Sequence, residues 1–137
     1  MRKSNLISKK VMIFPDNLQY TREHEWLLDE ETEAIIGITE YAQKELGEIV
    51  YVDIDSEGEE LAAGERFGTI EAVKAAEDLF MPVCGTILAV NPVLESAPDT
   101  VNKDPYGEGW MVRIKLTNRA ELENLISAKV YEEFIKT

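Results

Sequence analysis

The feature that most constrains this chain is its rhythm: short runs of β-forming residues, punctuated by turn-forming and charged stretches. Tyr20–Leu28 and Ala34–Ile38 flank the acidic turn Asp29–Glu33 and read as a hairpin. Ile49–Ile54 alternates as a strand and ends in Asp55-Ser56-Glu57-Gly58. Arg66–Glu71 and Asp78–Met81 are two further strand-like runs, joined by Ala72–Glu77; Thr86–Val90 follows Gly85, and Trp110–Leu116 is the last strand. Helical signals are shorter. Thr39 caps a helix carrying Ala42 and Leu46 and stopped by Gly47. Asn91-Pro92 opens a turn of helix through Glu95. Asn118 and Glu121 form a capping-box pattern ahead of Leu122, Leu125 and Ile126, and Ser127 restarts a helix pairing Val130/Phe134 and Tyr131/Ile135 at i, i+4. The whole predicts a mainly β fold: a flattened barrel or sandwich of two small sheets, with short peripheral helices and C-terminal helices.

At 137 residues the chain is the size of one domain. Residues 1–11 read as a basic extension without periodicity, and residues 12–137 as the single folded domain. No run approaches the ~18 apolar residues of a membrane helix, and no apolar segment follows the basic N-terminus as in a secretory signal. The one cysteine, Cys84, forms no internal disulfide, which fits a reducing compartment, and it reads as a small buried hydrophobe. With a single histidine beside it, His24, there is no thiolate–imidazole metal cage. Acidic residues outnumber basic ones 27 to 14, a surface that repels phosphate backbones and disfavours nucleic acid. The same charge reads as a source of solubility and, functionally, as steering toward partners with basic docking patches.

One hexapeptide echoes another. Gly68-Thr69-Ile70-Glu71-Ala72-Val73 recurs as Gly85-Thr86-Ile87-Leu88-Ala89-Val90, differing at one position, so that Lys74 aligns with Asn91. Coincidence and two similar half-sandwiches both account for it. Lys74 itself lies between Ala72 and the pair Ala75-Ala76, in the connection between two strands. A lysine at a hairpin tip is exposed, held in direction by its strands, and open to an enzyme that closes around small neighbours.

The segment Glu71-Ala72-Val73-Lys74-Ala75-Ala76-Glu77-Asp78 resembles the lipoyl-lysine motif of the H-proteins of the glycine cleavage system. Three further segments are similar to signatures of that family: Tyr20-Thr21-Arg22-Glu23-His24-Glu25-Trp26; Gly37–Gln43 with Leu46–Val50; and Asn102 with Pro105–Met111. The resemblance covers residues 13–137. Ala72 stands where the family commonly has Ser, and Glu23 where it often has a short polar residue. Two rivals fit less well. Lipoyl domains of 2-oxo-acid dehydrogenases usually place Asp before the lysine, where this chain has Val73, and biotin carriers flank theirs with methionines.

The resemblance implies a lipoyl/biotinyl-type fold and a carrier that is not an enzyme, with lipoate in amide linkage on Lys74. It implies four partners: a pyridoxal-phosphate glycine decarboxylase, an aminomethyltransferase, dihydrolipoyl dehydrogenase and a lipoate-attaching enzyme. The arm would shuttle the aminomethyl group of glycine among the first three. A relay delivering lipoyl groups to other carriers is the alternative. The resemblance further points to Glu25, Asp78 and Ile38 as residues of a cleft in which the arm docks, the two carboxylates supplying fixed negative charge. His24 reads as a histidine held by its neighbours rather than a general base, and Trp26 and Trp110 as core anchors. The expected location is the bacterial cytoplasm, with the mitochondrial matrix as the weaker alternative.

Overall fold

The computed structural model of the protein describes residues 12–136. The basic extension expected over residues 1–11 lies outside them. Nine strands among the described residues form two antiparallel sheets. The larger contains β1 (Gln19–Tyr20), β2 (Glu25–Glu30), β3 (Glu33–Ile38), β5 (Glu60–Leu61), β8 (Gly85–Val90) and β9 (Val112–Leu116), ordered β1-β2-β3-β9-β8-β5. The smaller holds β4 (Ile49–Asp53), β6 (Arg66–Ala72) and β7 (Ala76–Phe80), with β6 in the middle. Between the sheets lies one apolar core built around Ile36, Ile49, Phe67, Ile70, Ile87 and Ile114. The expected sandwich of two small sheets is the fold observed.

Four short α-helices among the described residues surround it: α1 (Glu40–Leu46), α2 (Val93–Ser96), α3 (Thr100–Lys103) and α4 (Ala128–Lys136), with a 3-10 helix at Arg119–Asn124. The caps of α1 are those read from sequence. Thr39 Oγ1 accepts from the Ala42 N–H at 3.2 Å, and Gly47, at φ +83°, donates its N–H to Gln43 O at 2.9 Å. A second apolar cluster of Leu18, Tyr20, Trp26, Ala128 and Tyr131 seats α4 on the outside of β1–β2. Tyr20 and Tyr131 stack there with ring centroids 5.0 Å apart, and Trp110 packs at the margin. Among the described residues no helix is long and apolar enough to cross a membrane.

Several expectations need correction. Tyr20–Leu28 is not one strand. Thr21 Oγ1 accepts from the N–H groups of Glu23 and Glu25, both at 3.2 Å, and folds the backbone into a turn that puts His24 at φ +73°. The β2–β3 connection is a two-residue loop, Glu31-Thr32, rather than the whole of Asp29–Glu33. Strand β7 begins at Ala76 and not Asp78, because Glu71 pairs with Ala76 and Ala72 N–H closes on Ala75 O at 2.7 Å. The last strand starts at Val112, two residues later than expected. The capping box at Asn118 is half-formed. Asn118 Oδ1 accepts from Ala120 N–H at 3.1 Å, but the Glu121 carboxylate turns away to accept from Cys84 N–H at 2.8 Å and the Cys84 thiol at 3.2 Å. The chain beyond Asn118 accordingly winds as a 3-10 turn, and Cys84 is a half-buried hydrogen-bonded thiol rather than a plain buried hydrophobe.

Candidate functional site

Lys74 is exposed at the tip formed by Val73, Lys74 and Ala75, where strands β6 and β7 turn back. The tip is short and held at both sides. Ala72 N–H bonds across it, and Val73 N–H donates to Glu48 O at 3.0 Å, anchoring the hairpin to the chain leading into β4. The lysine is therefore exposed while its backbone is fixed.

From Ala75 a cleft of about 330 Å³ runs between the hairpin and α1. Its apolar lining comes from Ile38, Leu46, Ile70 and Leu79. The polar lining is Glu23, His24, Glu25, Tyr41, Glu45, Glu77 and Asp78. All three docking candidates, Glu25, Ile38 and Asp78, thus line one cleft that opens beside Lys74. An apolar trough leading to acidic groups fits an aliphatic chain with a cationic end, so the residues present are suited to a lipoyl arm.

Glu25 is the unusual member. It is only 2% exposed. Its carboxylate accepts from the Thr21 hydroxyl at 2.7 Å and weakly from Phe80 N–H at 3.3 Å. Burial pushes its pKa up to about 8 from the usual 4.5, against the pull of those hydrogen bonds. Near neutrality the group therefore holds its proton until a cation arrives to favour the ionised form. This differs from the expectation of two permanently negative groups.

His24 is held as expected. Its Nδ1 is hydrogen-bonded to the Tyr131 hydroxyl at 2.7 Å, and that hydroxyl to Thr39 Oγ1 at 2.8 Å. Burial lowers the imidazole pKa, while Glu23, Glu77 and Glu45 pull it back up. Helix α4 thereby fixes one wall of the cleft. Helix α1 forms another wall and is tied down by Asn102, whose side chain accepts from Ile49 N–H at 2.9 Å and donates to Gln43 Oε1 at 2.8 Å and Gly47 O at 2.9 Å. Trp26 Nε1 donates to Pro105 O at 3.1 Å, and Glu40 N–H donates to the Tyr106 hydroxyl at 3.0 Å. The three segments singled out alongside the lysine motif are thus the braces of this cleft.

Sequence reasoning missed Tyr41, Glu45 and Glu77 as cleft residues. Tyr41 and Glu45 share one helical face at i, i+4, a signal that was available. The sequence pattern places Glu77 in the connection, and only the earlier start of β7 reveals its setting. Glu77 pairs with the buried Ile70, on the face of the strand pair that the cleft follows, and Asp78, paired with Thr69, lines the cleft at the edge of β7.

Comparison with known proteins places most of the chain beside one family. The family model described as Glycine cleavage H-protein matches residues 18–137. The Glycine cleavage system H protein of Bacteroides fragilis is 55% identical over 124 residues, covering 90% of this chain and 98% of that protein. The protein of the same name from Carboxydothermus hydrogenoformans is 45% identical over 124 residues, covering 90% and 95%. Among solved structures, the crystal structure of a glycine cleavage system H protein from Mycobacterium marinum superposes with a TM-score of 0.82 at 32% identity, covering 90% of this chain and all of that one.

Proposed function

The chain belongs to the glycine cleavage H-protein family, and from that premise we propose that Lys74 is its lipoyl attachment site and the cleft beside it the dock for the arm. The protein is a lipoyl carrier of the glycine cleavage system and not an enzyme. Its partners belong to that system. In this reading they are the pyridoxal-phosphate glycine decarboxylase, the aminomethyltransferase and dihydrolipoyl dehydrogenase, together with the enzyme that attaches lipoate, all in the bacterial cytoplasm. The relay alternative is not favoured, since the relatives from Bacteroides fragilis and Carboxydothermus hydrogenoformans both bear the glycine cleavage name. Residues 12–137 act as a single carrier domain.

The observation that carries the reading is the pairing of an exposed lysine on a braced hairpin with a cleft that begins at the next residue. When bound, lipoate supplies a redox-active dithiolane able to take up and release an aminomethyl group. The protein's own residues do the rest. The hairpin holds the arm's root and so replaces free diffusion by a high effective concentration at each partner. Ile38, Leu46, Ile70 and Leu79 line an apolar path that keeps water from the arm. Glu25 and Asp78 stand where a cationic end group gains from an acidic partner, Glu25 by giving up its proton as the cation seats.

Intact mass and peptide mapping of the purified chain, before and after treatment with a lipoate-attaching enzyme, test the attachment site. One lipoyl group on Lys74 is expected; lipoate on any other lysine would refute the assignment. Formaldehyde release from the isolated loaded protein tests the dock. Glu25→Gln should leave attachment intact and speed release by about tenfold, corresponding to the loss of one charge-assisted contact.

A further inference from the structure

Seven large hydrophobic side chains are exposed among the described residues, and three of them, Val50, Tyr51 and Val73, gather beside Lys74. Isolated exposed hydrophobics are ordinary on a protein surface; a cluster is not. Strand pairing explains how the three come together. Ile49 stands opposite Ala72 and Tyr51 opposite Glu71, with a bulge between that takes Val50 out of register. Ile49 and Ala72 face the core, so alternation sends their neighbours Val50 and Val73 to the outer face of the small sheet. The bulge sets Tyr51 opposite the exposed Glu71 and so turns it outward with them. Val73 is brought alongside by its hydrogen bond to Glu48 O. Exposures of 48% for Val50, 53% for Tyr51 and 67% for Val73 mark a face that the described chain leaves open. The neighbouring residues Glu48, Asp53 and Glu71 are exposed acids.

We infer that this patch is the docking surface for the enzyme that acylates Lys74, a partner presenting an apolar recess with a basic rim. The inference rests on Lys74 being the attachment site. Charge selects the rim, because the apolar residues are flanked by carboxylates. Reach selects the occupant. Partners that react with the far end of a finished arm need not grip the strands. An acylating enzyme must bring Nζ itself, one lysine side chain from the backbone, to its activated acyl group. There the ammonium gives one proton to a base, and the amine attacks the carbonyl carbon of a lipoyl mixed anhydride or thioester. The C–N bond forms, the bond to the phosphate or thiol leaving group breaks with its electron pair, and a second proton leaves the nitrogen. Geometry that exacting requires a hold on the hairpin, and the outer face provides it while the cleft lies on the inner side.

The test uses the full unmodified chain with its acylating enzyme. Tyr51→Ser with Val73→Ser should raise both the dissociation constant and the KM for the carrier by about tenfold or more, with kcat within about twofold of the parent, as for loss of an interface anchor. Glu48→Gln with Asp53→Asn, which spares the apolar residues, should raise KM at low salt and flatten its salt dependence. Should the apolar pair fail to fold, Val73→Ser alone at its exposed tip and the charge pair decide. Chains driven to full modification at high enzyme concentration should then support glycine-dependent turnover like the parent. An unchanged dissociation constant and KM in both sets of variants would overturn the proposal, and so would a defect confined to the glycine-dependent steps. Absence of lipoate from Lys74 in the unaltered chain is a different outcome, and it would remove the attachment reading itself.

Discussion

Two nearly identical hexapeptides end in opposite ways. Gly68–Val73 runs through β6 and delivers Lys74 to an open hairpin tip, while Gly85–Val90 forms β8 and delivers Asn91 to the interior, where it is 5% exposed. Their strands are built alike. Ile70 and Ile87 are both fully buried, and the one differing position, Glu71 against Leu88, is exposed in both. A Cβ on Gly68 would lie 2.8 Å from Asp53 O, and one on Gly85 2.7 Å from Lys115 O, so both glycines admit a close-lying neighbouring segment. The echo is therefore structural: each copy is a strand of one sheet, with its glycine pressed against an adjacent segment. What differs is the surroundings of the strand's end. Asn91 Nδ2 donates to Glu108 O at 2.8 Å and Trp110 O at 2.7 Å, and its Oδ1 accepts from Val93 N–H at 3.1 Å. Lys74, by contrast, stays exposed among the described residues. The same strand code yields a structural lock or a functional tip according to the next residue and its neighbours.

Exchanging the two terminal residues should break this comparison most sharply. Lys74→Arg keeps the charge and should abolish lipoylation entirely. Asn91→Lys, combined with Lys74→Arg, should not restore it, because position 91 is enclosed. Intact mass reads both, and lipoate at residue 91 would mean that strand-end position alone suffices for recognition.

Stability should divide the other way. Asn91→Ala removes three part-buried hydrogen bonds to the backbone and should cost about 3 kcal/mol, whereas Lys74→Ala should stay within about 0.5 kcal/mol. Urea midpoints at constant slope measure both. A costly Lys74→Ala would contradict the picture of a tip free of structural duty.

Where the halves are alike, the effects should be alike. Gly68→Ala and Gly85→Ala each press a methyl against backbone and should each destabilise by about 1–3 kcal/mol. If only one of them is costly, as urea midpoints would show, the echo is resemblance without structural equivalence.

The parts of this molecule that were legible in the sequence are those specified locally. Thr39 and Gly47 frame α1 because their caps bond within three or four residues. The hairpin of Lys74 was visible from its flanking β runs. The two-residue strand β5 and the one-turn helix α3 were not, since elements of that length exist only by tertiary contact. Thr21 reads as part of a strand because nothing in its own periodicity reveals that its hydroxyl captures the Glu23 and Glu25 N–H groups. Glu121 has the spacing of a capping-box residue, yet a longer-range donor at Cys84 takes its carboxylate. In the cleft, the identity of Glu25 came from resemblance, but its burial depends on Phe80, fifty-five residues away, and no sequence window holds both.

Burial of Glu25 also separates the two halves by pH. The Asn91 side holds a neutral amide, while the Lys74 side holds a carboxyl whose pKa is raised from 4.5 to about 8. A raised acid binds its proton more tightly in the folded than in the unfolded state. Its contribution to stability is complete below pH 4.5 and is lost as pH climbs through about 8. Within that window one retained proton gives a slope of about −1.4 kcal/mol per pH unit. Asp29, whose pKa is lowered chiefly by its hydrogen bond to Arg119, acts with the opposite sign at the acid end, and His24, whose pKa burial lowers from 6.5, does so nearer neutrality; both are common to parent and variant, so their difference isolates Glu25. Glu25→Gln keeps the shape and an acceptor but cannot ionise. Urea unfolding of parent and variant between about pH 5.5 and 7.5 should show the parent losing stability relative to the variant at that slope. Parallel curves would mean that Glu25 ionises freely in the folded protein. The cleft would then present a standing negative charge to the arm, and the docking of a cation would release no proton.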